Sequence, residues 1–304
     1  MENNFQIIYG KQDISKRISL LHRQETFSIG LISVGSEKEL ISSTERLYDF
    51  TNIGSLFVLL YQEHENLKEI AKQFPKVTFI LFNEPLSFGT LANVMANQCH
   101  STYFLLTRTN LEFTKFEYKK GIEVLNGSKK AALVTFDLTN RFGEALPVIQ
   151  VPFIRDNLID PISFFPTEER LPTLYPYFGI GLYERALFQR LRGFDEAIES
   201  EYWQFLDFGL RCWLYGYPIM YCDAFKASFS TRQFVIENRS ESNGIKRVHT
   251  RALGFRTVRG KNYTKRIPKY FDSKVYNDVK KVLPLYKQDF YSLIESWPAP
   301  GEQR

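Results

Sequence analysis

Cysteine is scarce in this chain. There are three, Cys99, Cys212 and Cys222, an odd number set among apolar neighbours. They suit small buried hydrophobes in a reducing compartment rather than a disulfide frame or a metal knuckle. No run of about 20 apolar residues occurs, so no segment is expected to cross a bilayer. The opening residues, Met1 to Gln6, carry neither a basic leader nor an apolar run, and the expected location is cytoplasmic. There is also no internal repeat and no low-complexity tract longer than a loop. The charge excess is small, 39 basic against 34 acidic side chains for a net +5. That balance suits an anionic ligand or a membrane surface, and it is too weak for a nucleic-acid binder.

What is present is apolar and aromatic: 44% hydrophobic residues, with 27 Phe and 17 Tyr among 304. Such a chain can bury a large core, as one big domain or a domain with an appendage. Residues 1–26 read as a lead-in with a strand at Phe5–Tyr9. Strands are expected at 27–34, 55–61, 77–82, 102–106 and 131–136. Helices are expected between them at 37–50, 65–74, 89–99 and 115–126. Strands that are apolar throughout, alternating with helices, predict a mostly parallel open α/β sheet covered on both faces. Its ligands would bind beyond the carboxyl ends of the strands. Six prolines between Pro147 and Pro176 mark a long connection of the kind that carries binding loops. After Asp223 the chain turns basic, with Lys246, Arg247, His249, Arg251 and Arg256, then one or two helices between Asp272 and Ile294.

The densest stretch runs from Phe178 to Asp223. A helix-like segment begins at Glu201, and from Trp203 to Tyr215 it is apolar on almost every side, which marks a buried helix. Asp207 and Arg211 sit well inside it at i,i+4 spacing, and charges there need a partner or a task. The plain structural reading is a salt bridge within the helix. Likewise Asp195 and Glu196, in Gly193-Phe194-Asp195-Glu196, read first as a turn leading to a helix cap.

Those same residues resemble the family-2 nucleotide-sugar glycosyltransferases of the GT-A fold. The family carries a glycine-rich strand, a Gly-Gly-Phe-Asp-Glu turn, an acidic helix start of the form Glu-Asp-x-Asp-Leu-x-x-Arg, and a closing Gly-Tyr. Here Gly179-Ile-Gly181, Gly193 to Glu196, Asp207-Phe-Gly-Leu-Arg211 and Gly216-Tyr217 match those parts. The resemblance implies a GT-A-like domain over 27–225, with a nucleotide-binding half (27–136), an acceptor half (137–225) and a basic extension (226–304). It implies a nucleotide-sugar donor, a glycan or other hydroxyl acceptor, and a setting in polysaccharide biosynthesis. Asp207 becomes the expected catalytic base. Asp195, Glu196 and Arg211 become acceptor-binding residues, and Ser33, Gly35, Glu37, Glu63, Arg108 and Asn110 donor-binding residues.

The family's metal-binding Asp-x-Asp is not found. After the fourth expected strand this chain reads Thr107-Arg108-Thr109-Asn110. Mn or Mg would thus lack its usual ligands, and Arg108 could bind phosphate directly in place of the metal. His249, which in relatives could complete a metal site, reads as surface polarity. The basic run 246–266 reads as a solvated face that could also touch anionic lipid. A non-catalytic relative, serving as a binding or scaffold protein in a glycan-assembly complex, is the alternative that the missing carboxylates raise.

Overall fold

A computed structural model of the protein describes residues 5–9, 27–52, 54–61, 66–127, 129–240, 243–258, 261–264 and 269–298. The first half alternates as expected. It runs β1 (Phe5–Tyr9), β2 (Phe27–Ile32), α1 (Glu37–Tyr48), β3 (Ser55–Tyr61), α2 (Leu67–Gln73), β4 (Val77–Phe82), α3 (Phe88–Gln98) and β5 (Tyr103–Arg108). The helix expected from Lys115 starts three residues later. Leu111–Phe116 is instead a strand, β6, and α4 (Tyr118–Leu125) follows it. Tertiary pairing decides this: β6 aligns antiparallel with Phe225–Phe229 of a late strand, beyond the short strand that the sequence announces at 217–223. Next come β7 (Leu133–Thr139), four short strands, β8 (Ile149–Val151), β9 (Ile154–Arg155), β10 (Leu158–Ile159) and β11 (Ile162–Phe164), and then β12 (Arg170–Pro172). The chain continues through β13 (Gly181–Glu184), α5 (Arg185–Arg190), α6 (Glu201–Leu214), β14 (Ile219–Phe229), α7 (Asn243–Leu253), β15 (Phe255–Val258), β16 (Lys261–Thr264), α8 (Ser273–Val282) and α9 (Phe290–Glu295).

The main sheet has the order β1-β4-β3-β2-β5-β13-β7-β14-β12, with β6 also paired to β14. Strands β4, β3, β2 and β5 are parallel, as are β7 and β14. Between these two sets β13 runs antiparallel to both β5 and β7. The start of β13 therefore lies at the same edge of the sheet as the ends of β2, β3 and β5.

Two apolar layers cover the sheet. One holds α3, α6 and α7 with Phe88, Phe194, Phe205, Phe208 and Val248; the other holds α1, α2 and α4 with Leu40, Ile70 and Val124. Burying each large side chain contributes about 1.5–3 kcal/mol, so this aromatic-rich core is the main source of stability. Residues of α7 and α9, including Ile245, Val248, Phe290 and Leu293, join the α6 layer. The boundary expected at 225 falls inside β14, and the segment after it shares the core of what precedes it.

The turn into β13 is tight. Phe178 and Gly179 both take the left-handed conformation, at φ 55° and 70°. A Cβ on Gly179 would come within 2.6 Å of both Phe205 and Phe88, so only glycine fits there.

Candidate functional site

At the carboxyl edge of the sheet, the ends of β2 and β3 and the starts of α3 and α6 surround a cavity of about 240 Å³. Ser33, Gly35, Tyr61, Phe88 and Glu201 are among its lining residues. The rim is rigid for local reasons. Ser36 caps α1 through the Glu39 amide, and the Glu39 carboxylate accepts the Ser36 N–H at 2.7 Å. Gly35 has φ 90°, and a Cβ there would strike that carboxylate. Thr109, just beyond β5, ties the end of β2 to β5 by accepting the Val34 N–H at 2.9 Å.

Arg108 ends β5 immediately behind this wall. It is 4% exposed. Its guanidinium donates to Glu201 Oε2 at 2.8 Å and to the Phe178 carbonyl at 3.1 Å, and lies 4.5 Å from the Phe88 ring centre. Its Nε is buried with no hydrogen-bond partner, as is Asn110 Oδ1 nearby in the chain. Glu201, the first residue of α6, is the acid that reaches the cavity, its side chain 43% exposed.

The Phe178 turn that receives Arg108 is itself held from below. Glu237 accepts the Phe178 N–H at 2.8 Å and the Tyr175 hydroxyl at 2.7 Å. Burial raises the Glu237 carboxyl to about 7, against the opposing effect of those hydrogen bonds and of the Arg239 and Arg108 charges. Glu237 belongs to the extended segment 230–240, pinned at one end by Ser230 N–H to the Asn110 carbonyl at 3.0 Å. At the other end Trp203 Nε1 donates to the Ser240 carbonyl at 2.9 Å.

The second group of expected site residues gathers elsewhere, over the outer side of α6. Asp207 is completely buried. One oxygen accepts Arg211 Nε at 2.8 Å and the other meets Arg251 of α7. Arg211 also donates to the Leu191 carbonyl and, at 2.6 Å, to the Gly193 carbonyl, so it fastens the Gly193–Glu196 turn. Asp195 accepts two hydrogen bonds from Arg247, at 3.0 and 2.7 Å. Burial alone would raise the Asp195 carboxyl, but Arg247, Arg251 and Arg211 outweigh it and hold it below the usual range. Glu196 accepts from Asn93 at 2.8 Å. The neighbouring cavity is larger, about 410 Å³, and has no lining residue in common with the first.

The expected site residues thus divide. Ser33, Gly35, Arg108 and Asn110 come to the strand edge. Asp195, Glu196, Asp207 and Arg211 come together in the ion-pair network. Glu37 sits in the first turn of α1 outside both linings, and Glu63 lies outside the described residues. Sequence reasoning did not single out Glu201, Arg232 or Glu237. Glu201 had one signal, its place at the start of the buried helix. Gln204, where the family pattern has a carboxylate, accepts the Gly89 N–H at 2.9 Å and donates to Ser87, closing the start of α3.

His249 is not on the surface; it is 1% exposed. Its Nε2 accepts the Ile159 N–H at 3.0 Å, and Nδ1 donates to the Ile245 carbonyl at 2.8 Å. Burial lowers its pKa, and both nitrogens are in use. No cluster of three or more His, Cys, Asp or Glu suited to a metal occurs among the described residues. Residues 107–110, where the resembled family places its metal carboxylates, hold none.

Sheet order, the reversed central strand and a cleft at the carboxyl edge define a GT-A-like α/β fold, the fold of the solved glycosyltransferases that this chain resembles. One of them is GalNAc-T7, solved with UDP, GalNAc and Mn²⁺: TM-score 0.62, 12% identity, over 90% of this chain and 57% of that one. Another is TarS of S. aureus: TM-score 0.51, 14% identity, over 74% of this chain and 39% of that one. The chain therefore spans little more than half the length of the first and less of the second. No protein-family model matches the sequence, and no curated protein matches it either.

Proposed function

We propose that the protein transfers a sugar from a nucleotide-sugar to a hydroxyl acceptor, as a family-2-like glycosyltransferase that needs no divalent metal ion. The observation that carries this reading is Arg108. It is a buried guanidinium, with an unpartnered Nε, at the end of a central parallel strand beside an open cleft. In sugar transfer the bond from the anomeric carbon to the phosphate oxygen breaks, and negative charge grows on the departing diphosphate. A fixed guanidinium in a low-dielectric wall stabilises that charge without reorganising. The acceptor hydroxyl must also lose a proton as it attacks. Among the described residues Glu201 is the carboxylate that lines the cleft, and we assign it the role of general base. In this reading Asp207, sealed between Arg211 and Arg251, serves to hold α6, α7 and the 193–196 turn together.

Location in the cytoplasm, a polysaccharide acceptor and contact of the 226–304 segment with lipid head groups belong to the same reading. Arg247 and Arg251 do not serve that contact, since both turn inward to carboxylates. Among the described residues no helix is long and apolar enough to cross a membrane. Calorimetric titration with UDP-, GDP- and CDP-sugars, in Mn²⁺, in Mg²⁺ and in EDTA, tests the proposal. Saturable binding of one donor in EDTA is the expected result. No binding of any donor under any condition would leave a non-catalytic binding protein instead.

A further inference from the structure

Arg232 stands close to Arg108, and its guanidinium has neither a hydrogen bond nor an ion pair among the described residues. It lies 5.5 Å from the centre of the Phe178 ring and 5.7 Å from that of Phe229. The Arg108 guanidinium lies 5.8 Å from the same Phe178 ring. Burial lowers the Arg232 pKa and the nearby charge of Arg108 lowers it further, while Glu201 acts in the opposite sense. Two guanidiniums held near one ring repel each other, and among the described residues the cleft supplies a single half-exposed carboxylate, Glu201, against both. Arg232 is not there by slack in the chain. Its carbonyl accepts the Arg141 N–H at 3.1 Å, and the next carbonyl, of Gln233, accepts Asn140 Nδ2 at 3.1 Å.

We propose that Arg108 and Arg232 form a two-arm clamp for the diphosphate of the donor, and that Glu201 is the counter-ion which the diphosphate displaces from Arg108. The inference deepens the donor-cleft reading above and rests on it. A nucleotide-sugar carries one negative charge on each phosphate, so one arm per phosphate neutralises the group that a divalent ion would otherwise hold. Guanidinium forks match phosphate oxygens two bonds at a time, and partial burial strengthens them. Displacement also gives Glu201 its second task. Released from Arg108, it becomes free to accept the proton of the attacking hydroxyl, so donor binding precedes activation of the acceptor.

The test is calorimetry in EDTA with inorganic pyrophosphate, using orthophosphate as the single-phosphate control, on wild type, Arg108→Ala, Arg232→Ala, Arg232→Lys and Glu201→Gln. Circular dichroism melts establish that each variant is folded. Wild type is expected to bind pyrophosphate. Arg232→Ala should weaken pyrophosphate about tenfold or more and orthophosphate less than about threefold. Arg232→Lys, with charge but no fork, should recover part of the loss. Glu201→Gln should tighten both anions by roughly threefold to tenfold, because no counter-ion has to leave. Unchanged pyrophosphate binding in Arg232→Ala, with binding lost in Arg108→Ala, overturns the clamp and leaves the donor-cleft reading standing. Unchanged binding in both variants, or none in wild type, overturns both.

Discussion

Helix α6 carries arginine–carboxylate chemistry at two places, and the two differ in how completely their charges are matched. Around Asp207 and Asp195, three arginines (211, 247 and 251) meet three aspartates, with Asp272 completing the set. Arg211 spends its remaining N–H groups on the carbonyls of the 191–193 turn. At the start of the same helix, Arg108 pairs with Glu201, the one carboxylate lining the cavity among the described residues, and Arg232 lies near enough to feel both charges. The second nearby acid, Glu237, is buried behind Phe178, and burial raises its carboxyl to about 7. A balanced network, even one that lines a cavity as this one does, keeps its arginines and carboxylates on one another. An unbalanced one open to solvent can exchange its counter-ion for a ligand. Burial of an ionised residue is therefore a poor guide to function, and unsatisfied charge beside a cavity is a better one.

Three changes sharpen this contrast. The largest effect is expected from Glu201→Gln. If Glu201 is the base, sugar transfer to an identified acceptor falls about 10³-fold, within the range for removing a general base, while donor affinity rises. Steady-state kinetics and donor titration on the same sample separate the two effects, and turnover near wild type would remove Glu201 from the chemistry. Next is Asp207→Asn, which leaves Arg211 and Arg251 buried without their carboxylate. Urea unfolding should show a loss of about 3–5 kcal/mol. Donor binding per folded molecule should be unchanged; a variant of wild-type stability with no turnover would return Asp207 to the base role.

The smallest effect concerns Glu237 and depends on pH. Its carboxyl rises from 4.5 to about 7 on folding. The folded protein thus binds a proton that the unfolded chain has lost between those values. The stability from this group is complete below about 4.5 and disappears as pH rises through 7. Glu237→Gln cannot titrate, so relative to wild type it should gain on the order of 2 kcal/mol between pH 5 and pH 8. Parallel melting curves for the two proteins across that range would show that Glu237 does not titrate there.

The residues themselves contain much of this architecture. Alternating apolar strands and helices over 27–136 announce a parallel sheet, because strands buried on both faces must be apolar at every position. The 203–215 segment, apolar but for Gln204, Asp207 and Arg211, announces a buried helix, and Gly193-Phe194-Asp195-Glu196 announces the turn before it. Residue 107–110 chemistry, an arginine where the resembled family places carboxylates, is also legible in one dimension. What the chain alone did not decide is which charges meet. Sequence reasoning makes Asp207 the expected catalytic base; that Arg251, 44 residues later in sequence, meets its carboxylate from α7 shows only in the packed chain. Nothing local marks Arg232 or Glu237; segment 230–240 sets Glu237 beneath the Phe178 turn and brings Arg232 to the same ring that Arg108 approaches. Helix and strand periods come from neighbours a few positions apart and survive in the sequence. Charge balance at a site comes from residues tens to a hundred positions apart, and only the packed chain determines whether a carboxylate is sealed in a salt bridge or left at a cleft.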